Sequence, residues 1–567
     1  MSLAALAIIV IVILALGYAL YSRLVAKQFA LDDNARTPAV EINDGVDFVP
    51  TKRFFLLGQH FSAIAAAGPI AGPILACQLF GWGPSILWIA LGVVFVGAVH
   101  DFSALVASVR HRARSIAEIV KENLGRRAWL AILIFMWFAL VYLIIAFADI
   151  TAATFVGKTA ELEGQFAFNA GGAVAAASTT YLLLAIAMGL VQRKFDVPLW
   201  LMTVIFVPAT LGAVWLGTQI STLLVFSQTT WGVGIMVYCF IASLLPVWML
   251  LQPRGYLGGF LLYMALAIGV IGIFFGGFDV KQPIVTSAPV FGLSGSIVPF
   301  LFVTIACGAA SGFHGLVCSG TTSKQIEKES DTRLVGYGGM LLEAFVALIA
   351  LATIMIVAPE VSKGMAPGRI YGDGIARFLT VAIGEKAFLF AATFGAMAFS
   401  TFVFDTLDVA TRLGRYILQE LSNAHNRTAA VISTAITAGV PAFVLVSTGP
   451  GAYQMFWTLF GTSNQLLAAL TLLAITVWLR QQGKPCWFTL APMIFLMAMT
   501  MWSLAGQTFQ FARAILAAAP GTPVFAQVAN SAVAVLLFAL TAFLVYESIR
   551  VTSRPRPAAP TANITAS

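Results

Sequence analysis

Gly68-Pro69-Ile70-Ala71-Gly72-Pro73 sits in the middle of an apolar run covering residues 54–79. A run of that length matches the roughly 20 apolar residues that carry a helix across a bilayer. Proline, however, lacks an N–H, and its ring clashes with the preceding turn. Two Gly-Pro pairs four residues apart are therefore expected to break the helix near mid-span. Freed backbone at that depth is tolerated only where it faces protein or a water-filled cavity. A second run, 297–319, carries Gly308-Ala309-Ala310-Ser311-Gly312-Phe313-His314-Gly315 at a similar depth. It has no proline, and its Gly-x-x-x-Gly spacing also suits plain close packing of helices.

Composition agrees with a membrane reading. Of 567 residues, 60% are hydrophobic and 10% are charged, against about 25% charged in an ordinary globular domain. A water-soluble chain of this length has no way to hide so much apolar surface. The formal net charge of +8 falls in short loops between apolar runs, which reads as membrane orientation, not as a nucleic-acid patch. None of the five cysteines (Cys77, Cys239, Cys307, Cys318, Cys486) forms a CxxC pair, so they read as buried free thiols.

The expected fold is all-α and polytopic, with 15 transmembrane helices at 2–21, 54–79, 84–108, 128–150, 176–192, 198–217, 232–252, 256–276, 297–319, 336–358, 387–411, 428–447, 453–478, 486–506 and 529–549. With the loop 22–53 cytoplasmic, 25 of the 32 Lys and Arg residues fall on the cytoplasmic side and 7 on the other. That split places the N-terminus outside and the C-terminus in the cytoplasm. Leu3 to Tyr21 lacks a preceding basic region and a cleavage site, so it reads as a retained helix. The stretch 366–384 is too polar to span and reads as interfacial or re-entrant on the outer side. The Pro/Ala/Thr-rich tail, 551–567, reads as disordered.

Ionisable residues at membrane depth default to function. They are His60, His100, Asp101, Glu343, Asp405 and Asp408, with His314 beside the second glycine run. His60, Asp101 and Asp405 each lie six or seven residues from the cytoplasmic end of their spans, about 10 Å deep. These three are expected to converge as a proton-linked cluster. Asp405 and Asp408 share a helix face, and Arg412, one turn on, is the expected partner of Asp408. Glu343 has no evident partner. Asn464 and Gln465 add uncharged donors and acceptors at depth. Each helix break would expose N–H groups of a new half-helix, which suit an anionic oxygen. The expected substrate site is thus Gly68, Pro69, Gly72, Pro73, Gly308 and Gly312, with Ser311 and His314 adding hydrogen bonds and Gln78 lining an outer path. A side chain added at Gly72 or Gly312 is expected to block this site with little loss of folded protein.

The stretch His60-Phe-Ser-Ala-Ile-Ala-Ala-Ala-Gly-Pro-Ile-Ala-Gly-Pro73, with Gly97-Ala-Val-His-Asp-Phe102, resembles the carbon starvation protein A family. So does Gly308-Ala-Ala-Ser-Gly-Phe-His314, followed by Ser319-Gly-Thr-Thr-Ser-Lys-Gln325. The resemblance runs from about residue 3 to 550. It implies a bacterial inner-membrane transporter that takes up peptides or pyruvate, the latter by proton symport, and that belongs to the carbon starvation response. It also implies a LeuT-like inverted 5+5 repeat within one domain, 1–550. Residues 54–217 would form the first repeat, 232–276 an inserted helix pair, 297–478 the inverted repeat and 486–549 further C-terminal helices.

The chain has no Gly-x-x-x-x-Gly-Lys-Ser/Thr loop, so no ATP-driven pump is expected. Coupling by protons would use His60, His100, Asp101, Asp405 and Asp408. Coupling by sodium would use Ser400, Thr401 and the Gly68 region. The competing readings are an intramembrane metal or haem protein, with His60, His100 and His314 as ligands and Asp101 and Asp405 as oxygen donors, and a passive channel. No His-Glu-x-x-His or Cys-x-x-Cys-His motif supports the former. The expectation is no enzyme activity, no cofactor, no metal and no nucleic-acid partner.

Overall fold

The computed structural model describes residues 2–45, 47–65, 67–156, 168–195, 197–293, 295–424, 426–519 and 524–553. Helices dominate, and among the described residues the only β-pairing is three isolated bridges. Among the described residues, twelve helices are long and apolar enough to cross a membrane. In chain order they and their shorter neighbours are α1 (Leu3–Phe29), α2 (Arg53–Ile64), α3 (Gly68–Phe80), α4 (Trp82–Arg110), α5 (Arg126–Val156), α6 (Ala170–Phe195), α7 (Leu199–Gln219), α8 (Gln228–Leu244), α9 (Leu251–Phe275), α10 (Ile297–Thr304), α11 (Gly312–Gly320), α12 (Arg333–Met355), α13 (Pro367–Ile383), α14 (Glu385–Ser422), α15 (Arg427–Thr448), α16 (Ala452–Gln481), α17 (Trp487–Leu516) and α18 (Phe525–Thr552). The pair α2–α3 makes a thirteenth span, bent by 49°. The chain is a multi-pass membrane protein.

Burial orders the helices from centre to rim. The most apolar stretch of α16 is 100% buried, whereas those of α7 and α18 are 28% buried. A helix hydrophobic all round is either core or lipid-facing; α16 is the first kind and α7 and α18 the second. Local signals fix the helix ends. Ser2, Ser115, Ser227 and Asn426 each accept a hydrogen bond from a backbone N–H one turn on, satisfying otherwise orphaned donors. At the far end of α8, Arg412 donates to the carbonyls of Ala242 and Leu245, both at 2.9 Å, and Arg415 donates to that of Ser243, where cations meet the negative end of the helix dipole. Three helices contain π-helical segments: Gly17–Tyr21 in α1, Trp88–Gly97 in α4 and Arg333–Gly338 in α12.

Both interrupted spans are broken, but not where the prolines suggest. Helix α2 ends at Ile64, and Gly68-Pro69 begins α3. Proline is favoured in a first helical turn, where its missing N–H would be unpaired anyway. Pro69 therefore starts a half-helix, and Pro73 rides inside it. The second break covers 305–311, between α10 and α11. The polar stretch expected at the outer interface is a buried helix, α13, packed on α14, α9 and α12. The tail's disorder concerns residues that lie mostly outside the described ones, and α18 runs on to Thr552.

Candidate functional site

Three helices deliver one buried chain of acids and histidines. His100 and Asp101 come from α4, His314 from α11 and Glu343 from α12, each at most 1% exposed. His100 Nδ1 lies 2.8 Å from Asp101 Oδ1, and His314 Nδ1 lies 2.9 Å from Asp101 Oδ2. His314 Nε2 approaches Glu343 Oε2 at 3.2 Å, an ion-pair contact not aligned as a hydrogen bond. Glycines permit this packing: a Cβ on Gly315 would touch the His100 ring, and one on Gly339 would lie 2.8 Å from His60 Cδ2.

The geometry sets a proton inventory. Both ring nitrogens of His314 face carboxylate oxygens. A bare nitrogen lone pair facing an ionised carboxylate would be repelled. Either His314 is an imidazolium with two N–H groups, or it is neutral and one carboxyl is protonated. In both cases Asp101, His314 and Glu343 hold at least two acidic protons between them. An unpaired buried charge would cost several kcal/mol, so the protons are what makes this cluster tolerable at membrane depth.

His60 lies against the cluster from α2. Its Nδ1 is 2.9 Å from Thr322 Oγ1, and its buried Nε2 has no partner. Ligand atoms of His60, Asp101 and Cys318 lie within 4.8 Å of one another, the one grouping among the described residues with metal-type donors. Each Asp101 oxygen already pairs with a histidine nitrogen, and the Cys318 thiol donates to the Asp101 carbonyl at 3.5 Å.

The expected third partner is elsewhere. Asp405 pairs with Arg254 Nη2 at 2.7 Å, and Asp408 pairs with Arg254 Nη1 at 2.5 Å. Tyr238 donates to Asp408 at 2.8 Å, and Tyr181 donates to the Arg254 carbonyl at 2.6 Å. Equal depth brought Asp405 and His60 together on paper, but the helix packing separates them into two networks. Asp408 likewise pairs with Arg254, because Arg412 is spent on α8 carbonyls. Arg254, counted as a loop residue by sequence, lies in the first turn of α9 and is fully buried. Ser400 bonds Ser178 of α6 at 2.7 Å, and Thr401 Oγ1 is buried without a partner.

At the breaks the glycines serve contact between helices. A Cβ on Gly68 would strike Cys307, one on Gly72 would lie 2.8 Å from the Thr304 carbonyl oxygen, and one on Gly308 would lie 3.4 Å from Pro69 Cα. The two breaks thus pack against each other. Gly312 lies against the backbone of Asn464 and Ala468. A side chain at Gly72 or Gly312 would meet backbone, which overturns the expectation that such substitutions leave folding intact. The start of α11 is also already capped: Asn464 Oδ1 accepts from Phe313 N at 2.9 Å, and its Nδ2 donates to Ser311 Oγ at 3.0 Å. Gln78 ties α3 to the segment between α12 and α13 by donating to the Ser362 carbonyl at 2.8 Å.

Sequence reading missed Arg254, Thr322 and Asp149. Asp149 is buried and accepts from Tyr453 N and Gln228 Nε2, both at 2.8 Å, capping the start of α16. Its position as the next-to-last residue of an expected span was the available signal.

A many-helix membrane bundle with buried proton-bearing groups beside two broken helices is the build of a solute transporter, and the comparisons agree. The chain matches the family Carbon starvation protein CstA over residues 2–372 and 363–503, and it belongs to that family. It is 35% identical over 565 residues to the "Peptide transporter CstA" of Helicobacter pylori, with 87% of this chain and 80% of that protein covered. It is 32% identical over 591 residues to the "Pyruvate/proton symporter BtsT" of Escherichia coli, with the same coverage. Among solved structures, a manganese transporter mutant of Eremococcus coleocola aligns with 90% of this chain and 99% of that one, at 15% identity and a TM-score of 0.43. The names of these relatives are those of transporters.

Proposed function

We propose that this protein imports a small carboxylate-bearing nutrient, pyruvate or a short peptide, across the bacterial inner membrane by proton symport. The observation that carries the reading is His314. It sits on the half-helix that follows the second break, and both of its ring nitrogens face buried carboxylates. Motion of α11 as the break flexes would alter the partners of a group that holds shared protons. Proton binding and helix position are thereby linked. His60, His100, Asp101, His314 and Glu343 form the coupling chain. Asp405 and Asp408, fixed by Arg254, form a second charged network nearer the inserted helix α9. Substrate binds at the crossing of the two breaks once they part, and Ser311 and Asn464, bonded to each other in this packed state, then supply the polar groups.

The reading includes fifteen crossings: the twelve long helices, the bent pair α2–α3, the shorter α8 and the broken pair α10–α11. Element order supports an inverted repeat over 54–217 and 297–478. Each half runs as a broken span, a helix with a π segment (α4, α12), a short connecting helix (Ile116–Leu124 or α13) and a long helix (α5, α14). The charge split puts the N-terminus outside and the C-terminus in the cytoplasm.

The test is uptake of labelled pyruvate and of labelled dipeptide into proteoliposomes under an imposed inward proton gradient. His314→Asn and Glu343→Gln are expected to abolish uphill accumulation while sparing exchange of labelled for unlabelled substrate. Gradient-driven accumulation by both variants at the wild-type level would refute the coupling chain.

A further inference from the structure

Thr471 of α16 takes no part in the networks above. It follows Asn464 by seven residues, two helical turns, so both share the face that Asn464 turns to α11. Thr462, on the same helix, returns its hydroxyl to the Thr458 carbonyl at 2.7 Å. Thr471 does not: its Oγ1 is buried and has no partner. His100 of α4 is in the same condition. Asp101 holds its Nδ1 at 2.8 Å, while its buried Nε2 has no partner.

The two unpaired atoms meet at Gly315. Helices α4, α11 and α16 pack on one another, and Gly315 is where the three come together. A Cβ on Gly315 would lie 3.4 Å from His100 Nε2 and 3.5 Å from Thr471 Oγ1. Both atoms therefore border one gap that glycine leaves unfilled. Unpaired buried polar atoms are costly, and a turn of the threonine hydroxyl, or one water, joins these two. The other groups near His100 are Asp101 on its own helix, His314 and Cys318 on α11, Glu343 on α12 behind His314, and His60 on α2. None of them pairs with Nε2.

Threonine suits a partner that changes protonation. A hydroxyl both donates and accepts. It can donate to a bare Nε2 and accept from an Nε2–H, so it serves His100 in either state. Valine has the same shape and serves neither. We propose that Thr471 is the partner of His100 Nε2 across the Gly315 gap, and the positioning residue that lets His100 take up and return a proton of the coupling chain. The role in transport rests on the proton-symport reading above; the pairing itself rests on the geometry.

The pairing is read without transport. The chain has five histidines, so full-length protein in liposomes, isotopically labelled at the histidine ring nitrogens, gives a short list of magnetic-resonance signals, and His100→Asn identifies those of His100. Thr471→Val should move the Nε2 signal, and Thr471→Ser should return it to the wild-type position. Gly315→Ala should move it too, because its methyl group fills the gap at ordinary contact distance and leaves both polar groups in place. A signal unmoved in both Thr471→Val and Gly315→Ala would overturn the pairing. The same proteins are then assayed for uptake of labelled pyruvate and labelled dipeptide. Thr471→Val and Gly315→Ala should lower gradient-driven accumulation relative to exchange by about fivefold, what one hydrogen bond is worth, and Thr471→Ser should keep it. Wild-type accumulation in Thr471→Val would overturn the positioning role. No gradient-driven accumulation by the wild type, with the signal shifts intact, would refute proton symport and leave the pairing standing.

Discussion

Gly68→Ala tests whether the two helix breaks touch. At an unhindered helical position, glycine to alanine stabilises by up to about 1 kcal/mol. Here the new Cβ would lie 2.5 Å from Cys307 Cβ and inside contact distance of its sulfur, whereas carbon atoms rest about 3.5–4.0 Å apart. Overpacking of that kind costs about 1–3 kcal/mol, so the clash outweighs the propensity gain and the net effect is a loss of about 1–2 kcal/mol. Cys307→Gly removes both offending atoms. Alone it leaves a small void and takes a contact from Asn464 Nδ2, now 3.2 Å from the sulfur. Combined with Gly68→Ala, it should recover stability, with a coupling of about 1–3 kcal/mol in a double-mutant cycle. Thermal unfolding of the four proteins in detergent measures this. If Gly68→Ala alone is neutral or stabilising, or if the cycle shows no coupling, the breaks do not pack as described.

Arg254→Met should destabilise by about 3–5 kcal/mol, because it strands two carboxylates beside a fully buried position. The triple variant with Asp405→Asn and Asp408→Asn should regain most of that loss in the same unfolding assay, and failure to regain it would mean that Arg254 acts by packing and not by charge. Single cysteines at Lys386 and Arg193, both exposed, introduced with Cys486→Ser, should react with an impermeant thiol reagent from opposite sides of the membrane. Labelling of both from one side would sink the orientation.

The sequence carried the long apolar helices, because these follow from local hydropathy. It did not carry lateral position. Asp405 and His60 share a depth, but whether two residues at one depth meet depends on helix rotation and on which helices are neighbours, and those are properties of packing. Arg254 was invisible for a related reason. The surrounding Gln252-Pro253-Arg254-Gly255 reads as a turn, whereas proline at the start of α9 begins a helix and turns Arg254 inward. Glu343 seemed alone because its partner, His314, is on a half-helix whose direction is set by the break. The break itself was legible as composition, but its position was not: Gly-Pro marks the first turn of the helix after a break as readily as the break.

The π segment in α4 bears on how relatives should be aligned. An α-helix turns 100° per residue, so one residue added by a wide turn rotates everything after it by about that much. His100 and Asp101 lie three and four residues past Trp88–Gly97, so the rotation that brings them to His314 includes that of the wide turns. A relative that straightened this stretch while keeping the same inward pair would show a one-residue gap inside 88–97, with the His-Asp pair unchanged after it. Length variation there is thus a record of helix phase and not of drift in a loop.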